Sequence, residues 1–584
     1  MSELLLEIGT EEIPAAFMPG ALDALKDLMA GELKAARIAF DTIETCGTPR
    51  RLILIADGIA ESQSELVTKK TGPATGIAYD ADGNPTKAAL GFARGQGIDV
   101  GKLTTITTDK GDYICAEKKE TGQPTAALLP EMLPRIITTL PFPKSMRWKD
   151  LDLRFARPIH WLVALLDGTV VPFSIGNVAS GSATRGHRFM APETVQVDSA
   201  AAFRAALQQG HVMIDPAERR TAITKAINDL AATVGGTPDA DEALLTEVTY
   251  ILESPFPVLC SFEKEFLELP SAVLLTTMKK HQKYFPVLDG SGAPLPHFIA
   301  VNNTNPLNPD VVKKGHERVL RARLSDARFF FSEDTKKPLT DMARELKQVV
   351  FQAKLGTSHE KVIRFAQLAG AMTVMLGKPA LRPAVEQAAA LCKADLTSEM
   401  VGEFPELQGI MGREYALKCG EPAEVADAIL EHYRPRFAGD ELPASDIGAI
   451  VSLADKLDTI VGIFGIGKNP SGTADPYALR RQCLGIINII TNKKYQLSLI
   501  GLIKQAIALL GEKLTRPCNE VYADVMAFFS GRLSNLLTGQ GYPHDVVDAV
   551  LSLGLDDLHD MLNRIDALRR MKQDPNFEAL AGAF

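Results

Sequence analysis

The sequence lacks the features that mark membrane-spanning, secreted and disulfide-linked proteins. No apolar run approaches the roughly 20 residues that a membrane helix needs. The first residues, MSELLLEIGTEEIP, carry acidic side chains where a secretory signal has basic ones. The 584 residues include only seven cysteines, none in C-x-x-C spacing, which argues against a disulfide framework and a zinc site. We therefore expect free thiols, no membrane segment and a cytoplasmic location.

Positive charge is also scarce. Lys and Arg number 63 against 72 Asp and Glu, which gives a formal net charge of -9. Such a chain does not attract nucleic acid through its overall field, so any contact with RNA must come from local basic patches. The length is enough for roughly three to five domains, each with its own core.

Hydrophobic periodicity predicts a multidomain α+β protein with a predominantly helical second half. Residues 1–190 alternate short apolar strands with helices, and residues 191–325 are mixed, with a hairpin predicted to turn at Asp289–Gly292. A helical period of 3.6 residues dominates residues 326–500 and 501–584. We predict domain boundaries at these positions.

The stretch GIFGIGKN, which begins at Gly462, matches the phosphate-binding loop motif G-x-x-x-x-G-K-[ST] at every position except the last. A true loop of this kind follows a buried strand, opens a helix and supplies a Ser or Thr hydroxyl after its lysine. Here the preceding pattern is helical, Asn469 replaces the hydroxyl, and Pro470 follows. A glycine-rich loop joining two helices is the favoured interpretation.

Pieces of a metal-dependent HD phosphohydrolase pattern occur in the helical half. His359, Asp395 and Asp455 match three of its ligands, but Ala394 stands where the His of the His-Asp pair belongs. His432 could join such a site, although a lone histidine at a helix end is more often a cap or a solvated side chain. We therefore favour a degenerate bundle without a metal.

Basic stretches are the strongest chemical signal. MKKHQKYF and KKGHERVLRARLSDARFFF place lysines and arginines beside aromatics, with Arg318, Arg321 and Arg328 at helical spacing. A solvated helix face explains this pattern equally well. Weaker basic spots are TPRRL, the TRGHRF loop with Arg185, His187 and Arg188, and ALRRQ with Arg480 and Arg481. Scattered spots of this kind suit a large folded RNA.

Taken together, these blocks resemble one family, the beta subunit of bacterial heterotetrameric glycine-tRNA ligase. The resemblance runs from residue 3 to past residue 570 and is specific because the blocks occur in order. They are LLLEIGTEEIP, TPRRL, KSMRW with RPIHWLVALLDG, SGSATRGHRF, MKKHQKYFPV, ERVLRARLSDARFFFSED, KADLTSEMVGEFPELQGIMGREYA, RPRFAGDELP and LADKLDTIVGIFGIGKNPSGTADPYALRR.

The resemblance implies a division of labour. The alpha subunit would carry the aminoacylation core and use glycine, ATP and Mg, whereas this chain would bind tRNA(Gly) within an α2β2 heterotetramer. We expect no catalytic residue, cofactor or metal in this chain. The expected tRNA contacts are Lys279, Lys280, Lys283, Arg318, Arg321, Arg323, Arg480 and Arg481.

The resemblance also assigns the helical domains. Residues 326–500 would form a degenerate HD-like domain, and residues 501–584 the first part of a DALR-type anticodon-binding bundle. That bundle would be truncated, since the sequence stops at Ala583–Phe584. Asp566 to Arg569 spell DALR itself. Two alternatives stay open, namely an HD-type metal-dependent phosphohydrolase acting on nucleotides or RNA, and an assembly scaffold that holds alpha subunits without touching RNA.

Overall fold

The computed structural model describes residues 2–80, 82–148 and 152–573, and the chain divides into two units. The first unit comprises the residues up to Phe262 together with Met278–Leu320, and the second comprises Glu263–Thr277 together with the residues from Arg321 onward. The predicted mixed α+β, multidomain architecture is confirmed. The three predicted domain boundaries stay predictions, and Ala583–Phe584 lie outside the described residues.

The first part of the first unit is rich in short strands. Its elements are β1 (Ser2–Thr10), α1 (Met18–Ala35), β2 (Thr42–Thr48), β3 (Arg51–Ile59), β4 (Leu66–Ala74), α2 (Thr75–Ala78), α3 (Lys87–Gln96), β5 (Thr104–Thr108), β6 (Gly111–Glu120), α4 (Thr125–Thr139), β7 (Met146–Arg147), β8 (Arg154–Phe155), β9 (Ile159–Leu166), β10 (Thr169–Val170), β11 (Ser174–Ile175), β12 (Val178–Gly181), β13 (Ala183–Arg185) and β14 (Thr194–Gln196).

A central sheet with the order β11-β12-β9-β1-β3-β2 organises this part, and β10 also pairs with β9. Strand β1 pairs antiparallel with both β3 and β9, so it lies inside the sheet, and it directs apolar side chains to both faces. Its even-numbered side chains Leu4, Leu6 and Ile8 pack with α1 and α4 in one core. Leu5 packs on the other face with Trp161 of β9. The sheet is therefore covered by helices on one face and buried on the other as well.

The chain continues from this sheet into a second, smaller one. The elements are α5 (Ala200–Gln209), α6 (Pro216–Ala232), β15 (Thr237–Pro238), α7 (Glu242–Ile251), β16 (Phe256–Ser261), α8 (Ser271–Thr276), β17 (Phe285–Leu288), β18 (Pro294–Asn302) and α9 (Pro309–Asp334). Helix α5 covers the Leu5 face of the central sheet. Strands β15-β17-β18-β16 form the second sheet, and the predicted hairpin at Asp289–Gly292 is confirmed between β17 and β18.

A buried charge network crosses the central sheet on the Leu5 face. The guanidinium of Arg51, fully buried, donates from Nη1 to Glu7 Oε1 at 3.1 Å and from Nη2 to Glu253 Oε1 at 3.1 Å. Glu7 Oε2 accepts from the Trp161 indole at 2.9 Å and from the Thr184 hydroxyl at 2.7 Å. The network thus joins β1, β3, β9 and β13 to Glu253, the second residue after α7.

Burial opposes ionisation of both carboxylates of this network, but their net pKa shifts have opposite directions. It raises the pKa of Glu7, whose neighbours only partly offset the loss of solvent. Burial also opposes ionisation of Glu253, but the Arg51 guanidinium and the Thr48 hydroxyl outweigh it, so the pKa of Glu253 is lowered. Glu253 accepts from both Nε and Nη2 of Arg51, at 3.2 and 3.1 Å, and is its principal counter-charge.

Beyond α9 the chain is almost entirely helical, as predicted. The elements are α10 (Leu339–Glu345), β19 (Val350–Gln352), β20 (Gly356–Thr357), α11 (Ser358–Met375), α12 (Arg382–Leu391), α13 (Glu399–Glu403), α14 (Ile410–Lys418), α15 (Ala423–Glu431), α16 (Asp446–Gly465), α17 (Leu479–Lys493), α18 (Leu499–Leu510), α19 (Cys518–Gly539), α20 (His544–Leu551) and α21 (Leu558–Lys572). Among the described helices, none is long and apolar enough to cross a membrane.

Helix α16 is the centre of this bundle. It is buried on every side from Ile447 to Gly465, because α11, α12, α15, α17, α18 and α19 surround it. A helix in this position must neutralise any charge that it carries. Asp458 does so by accepting from Arg364 of α11 at 2.8 Å and 3.1 Å.

The Arg51 network yields a stability prediction. Arg51→Ala should lower the free energy of unfolding of the first unit by about 3–5 kcal/mol, because it leaves buried Glu253 without its main partner. The matched control is Arg204→Ala, which breaks an exposed pair with Glu44 and should cost less than about 1 kcal/mol. Urea unfolding of both variants checks this, and equal effects would contradict the role assigned to the network.

Candidate nucleic-acid interface

The three lysines predicted to contact tRNA differ in their exposure and in whether they pair with carboxylates of the protein. Lys279 lies 2.7 Å from Asp239 and 2.6 Å from Asp241, and its side chain is 21% exposed. Burial works against its charge, but these carboxylates outweigh it and raise the pKa of Lys279. Lys283 pairs with Glu247 at 2.9 Å. Lys280 is exposed, so it is the member of this group most available to a phosphate backbone.

The predicted arginines of α9 all lie on its exposed side. Arg321 pairs with Glu263, Arg323 lies 3.7 Å from Glu403, and Arg328 lies 3.0 Å from Glu265. Phe329 follows directly and is 60% exposed. Exposed pairs of this kind are worth little, so a phosphate can replace the carboxylate at small cost.

Arg480 and Arg481 open α17 after the glycine-rich loop. The loop joins α16 to α17, as predicted, and it follows a helix and not a strand. Arg480 donates to the Gly472 carbonyl at 2.8 Å, which holds the loop against the helix start. Within the described part of the chain, Lys280, Arg318 and Arg481 form no ion pair.

The structure brings two other basic spots of the sequence together. TPRRL and TRGHRF, treated separately in the sequence, meet at the end of the central sheet around Trp161. The guanidinium groups of Arg50, Arg51 and Arg185 lie 5.6, 5.5 and 5.0 Å from the centre of the Trp161 ring. Arg51 is internal, but Arg50 and Arg185 line a cavity of about 300 Å³. Sequence reasoning missed this site, because its residues are far apart in the chain.

The HD-like residues do not form a metal site. Both oxygens of buried Asp455 face lysines, with Lys361 Nζ at 2.6 Å from Oδ1 and Lys393 Nζ at 2.8 Å from Oδ2. Burial would raise the pKa of Asp455, but these ammonium groups outweigh it and hold the pKa well below its ordinary value. The lysines take the place where a metal would neutralise the carboxylate.

Asp395 and His432 each contact the protein backbone through one side-chain atom, whereas Asp395 Oδ1 and His432 Nε2 have no hydrogen-bond partner among the described residues. Asp395 Oδ2 accepts from the Gly409 and Gly412 amides at 2.5 and 3.0 Å, and burial raises its pKa to about 6. His432 is buried, and its Nδ1 lies 2.5 Å from the Ile429 carbonyl. No group of three or more His, Cys, Asp or Glu that could hold a metal occurs among the residues described. This donor set does not fit a divalent cation, so the phosphohydrolase alternative is not favoured.

The DALR tetrapeptide makes a defined local contact. Asp566 accepts a hydrogen bond from the Tyr542 hydroxyl at 3.0 Å, and the Arg569 guanidinium lies 4.9 Å from the centre of the same ring. Both polar members of the tetrapeptide therefore fasten α21 to the turn before α20.

The chain is similar to known proteins over nearly its whole length. A family model described as glycyl-tRNA synthetase beta subunit matches residues 4–552. The chain is 53% identical to the glycine-tRNA ligase beta subunit of Syntrophus aciditrophicus, and 54% identical to those of Geobacter metallireducens and Geobacter sulfurreducens. These alignments span 100% of this chain and 84 or 85% of each relative.

A match of this extent defines the class of protein as a subunit of an aminoacyl-tRNA synthetase. Within that class, the chain belongs to the glycine-tRNA ligase beta-subunit family. The resemblance inferred from the sequence motifs is confirmed.

The lysine pair at Asp455 yields a second prediction. Asp455→Ala should lower the free energy of unfolding of the second unit by about 3–5 kcal/mol, since it leaves two buried ammonium groups without their shared carboxylate. Asp560→Ala, which breaks an exposed pair with Arg564, is the control and should cost less than about 1 kcal/mol. Thermal or urea unfolding measures both.

The same experiment tests for a metal. Added Mn²⁺ or Zn²⁺ should leave the melting temperature of the unmodified chain unchanged. A rise in melting temperature that Asp455→Ala abolishes would contradict the assignment of this cluster as a lysine-neutralised one.

Proposed function

We propose that this chain is the tRNA-binding beta subunit of a glycine-tRNA ligase. It supports the ATP-dependent attachment of glycine to tRNA(Gly), while a separate alpha subunit supplies the aminoacylation core and uses ATP and Mg. The observation that carries the proposal is the family match over residues 4–552. The name beta subunit, borne by the relatives, supports an alpha partner. The α2β2 assembly is part of the proposal.

Three surface cations support RNA contact by this chain. Lys280, Arg318 and Arg481 are exposed and unpaired among the described residues. A phosphate backbone gains most from such cations, because binding releases counterions and breaks no existing ion pair. Lys279, Lys283, Arg321, Arg323 and Arg480 belong to the same proposed set of tRNA contacts, although each already has a partner in the protein.

The exposed Phe329 adds a surface on which a base can stack. It lies next to Arg328 on the exposed side of α9. Single-stranded RNA is commonly held by aromatics that stack bases, together with cations that contact the backbone. This combination favours an RNA-binding subunit over an assembly scaffold.

The helical part of the chain fits two further assignments. We propose that the bundle centred on α16 is a degenerate HD-like domain whose metal has been replaced by Lys361 and Lys393. The helices α19, α20 and α21 then begin a DALR-type anticodon-binding bundle. The Tyr542 contacts of Asp566 and Arg569 support this second assignment. The cytoplasmic location stays a prediction.

Charge reversal tests the proposed tRNA contacts. The variant Lys280→Glu, Arg318→Glu and Arg481→Glu should bind tRNA(Gly) about tenfold or more weakly at low salt. The slope of log affinity against log salt should become shallower by roughly one unit for each phosphate that the variant no longer neutralises. Fluorescence anisotropy with labelled tRNA(Gly) at several salt concentrations measures both quantities.

The control carries the same change in net charge at exposed cations placed elsewhere. Arg135→Glu, Arg204→Glu and Lys225→Glu alter cations that pair with Glu32, Glu44 and Asp229. This control should keep most of the affinity. Equal reductions in both triple variants would show that net charge alone matters and would refute the proposed contacts.

A further inference from the structure

A cationic pocket lies at the end of the central sheet, and none of the eight residues proposed above lines it. It is a cavity of about 300 Å³, here named the Arg50 pocket, lined by Glu11, Arg50, His160, Arg185, Gly186, Arg188 and Pro192. Three of these residues carry a guanidinium group, against one carboxylate. A pocket of this composition favours an anionic ligand.

Arg50 is the decisive side chain of the Arg50 pocket. It is only 7% exposed, yet its Nε and Nη1 have no hydrogen-bond partner within the part of the chain that the structure describes. Its side chain forms only a long ion pair with Glu253, whose Oε2 lies 3.9 Å from Nη1, beyond hydrogen-bond range, and has no hydrogen-bond partner among the described residues. A buried donor left in this state is costly unless a ligand satisfies it.

Arg185 supplies a second set of available donors. Its guanidinium lies over the Trp161 ring at 5.0 Å, and it forms no ion pair among the described residues. Arg188 is already paired with Glu11, and His160 Nε2 lies 3.2 Å from the same carboxylate. Glu11 therefore occupies one side of the Arg50 pocket and leaves Arg50 and Arg185 for a second anion.

The walls of the Arg50 pocket are held rigidly. His187 is fully buried, and its Nδ1 accepts from the Phe189 and Met190 amides at 3.3 Å, which fixes the turn that carries Arg188. A Cβ on Gly186 would come within 2.5 Å of the Ala191 carbonyl oxygen, so only glycine fits this turn. Arg50 itself adjoins the Arg51 network. The site is thus formed before any ligand binds, which favours affinity.

We propose that the Arg50 pocket binds a phosphate group, gripped by Arg50 and Arg185. A phosphate offers more acceptor oxygens than a carboxylate, and these can face two guanidinium groups that approach from different sides. The cavity also leaves room for what the phosphate is attached to. The phosphate comes either from the backbone of tRNA, which rests on the proposed function, or from a free small molecule, which does not.

Phosphate binding by the full chain tests this proposal. Inorganic phosphate is titrated at constant ionic strength, with chloride as the balancing anion, and its affinity is measured by calorimetry. Arg50→Gln and Arg185→Gln should each weaken binding by about tenfold or more, since each removes charge-assisted hydrogen bonds. Arg135→Gln, an exposed arginine of the same unit paired with Glu32, should bind phosphate as the unmodified chain does.

The outcomes separate the proposal from its alternatives. No phosphate binding by the unmodified chain, or unchanged binding by Arg50→Gln and Arg185→Gln, would overturn it. Because Arg185 is partly exposed, Arg185→Gln keeps the test decisive if Arg50→Gln does not fold.

Binding of tRNA(Gly) in the same buffer identifies the source of the phosphate. Weaker tRNA binding by both variants, and competition between phosphate and tRNA, would assign the Arg50 pocket to the tRNA backbone. Unchanged tRNA binding would assign it to a free phosphate compound. Failure of the unmodified chain to bind tRNA would count against the proposed function alone and would leave the phosphate result standing.

Discussion

The buried Arg51 guanidinium is the constraint on which the first unit depends, because a cation in the interior must find opposite charge and hydrogen-bond acceptors nearby. It finds them in Glu7, Glu253 and the Arg185 carbonyl, the last at 2.7 Å. These groups come from strands and a loop that are distant in the sequence. Their convergence fixes how β1, β3 and β13 meet around Trp161, and Gly9 allows the indole to lie directly over the backbone, since a Cβ there would overlap the ring. The same contacts hold the neighbouring Arg50 pocket rigid.

The second unit meets the same requirement with lysines. Its central helix α16 is buried along its length and carries two aspartates, Asp455 and Asp458, which Lys361 and Arg364 of α11 neutralise. A metal could have served the same purpose at Asp455, but Lys361 and Lys393 already hold both oxygens. The bundle therefore keeps a polar centre with a structural role.

Much of the fold could be predicted from the sequence, because turns and helices depend on residues that are close together in the chain. The hairpin at Asp289–Gly292 follows from turn residues between two apolar strands, and α16 follows from an uninterrupted apolar period of 3.6. The contacts of charged groups could not be predicted. From the sequence, Lys279 and Lys283 are predicted to be free cations. In the fold, Lys279 pairs with Asp239, 40 residues earlier, and Lys283 pairs with Glu247, 36 residues earlier. Arg51 reads as a basic surface residue, whereas its partner Glu253 lies 202 residues away. The Arg50 pocket escaped notice for the same reason, because TPRRL and TRGHRF carry no signal that they are neighbours.

The most direct test of the account is glycine charging of tRNA(Gly) by an alpha subunit from the same family, measured alone and with this chain added. If the chain is the tRNA-binding beta subunit, its addition should raise the charging rate strongly, chiefly by lowering the KM for tRNA and leaving that for glycine nearly unchanged. The same alpha subunit with a chain carrying the reversed cations at Lys280, Arg318 and Arg481 should show a smaller gain. No stimulation by the unmodified chain, together with no measurable tRNA binding, would contradict the account.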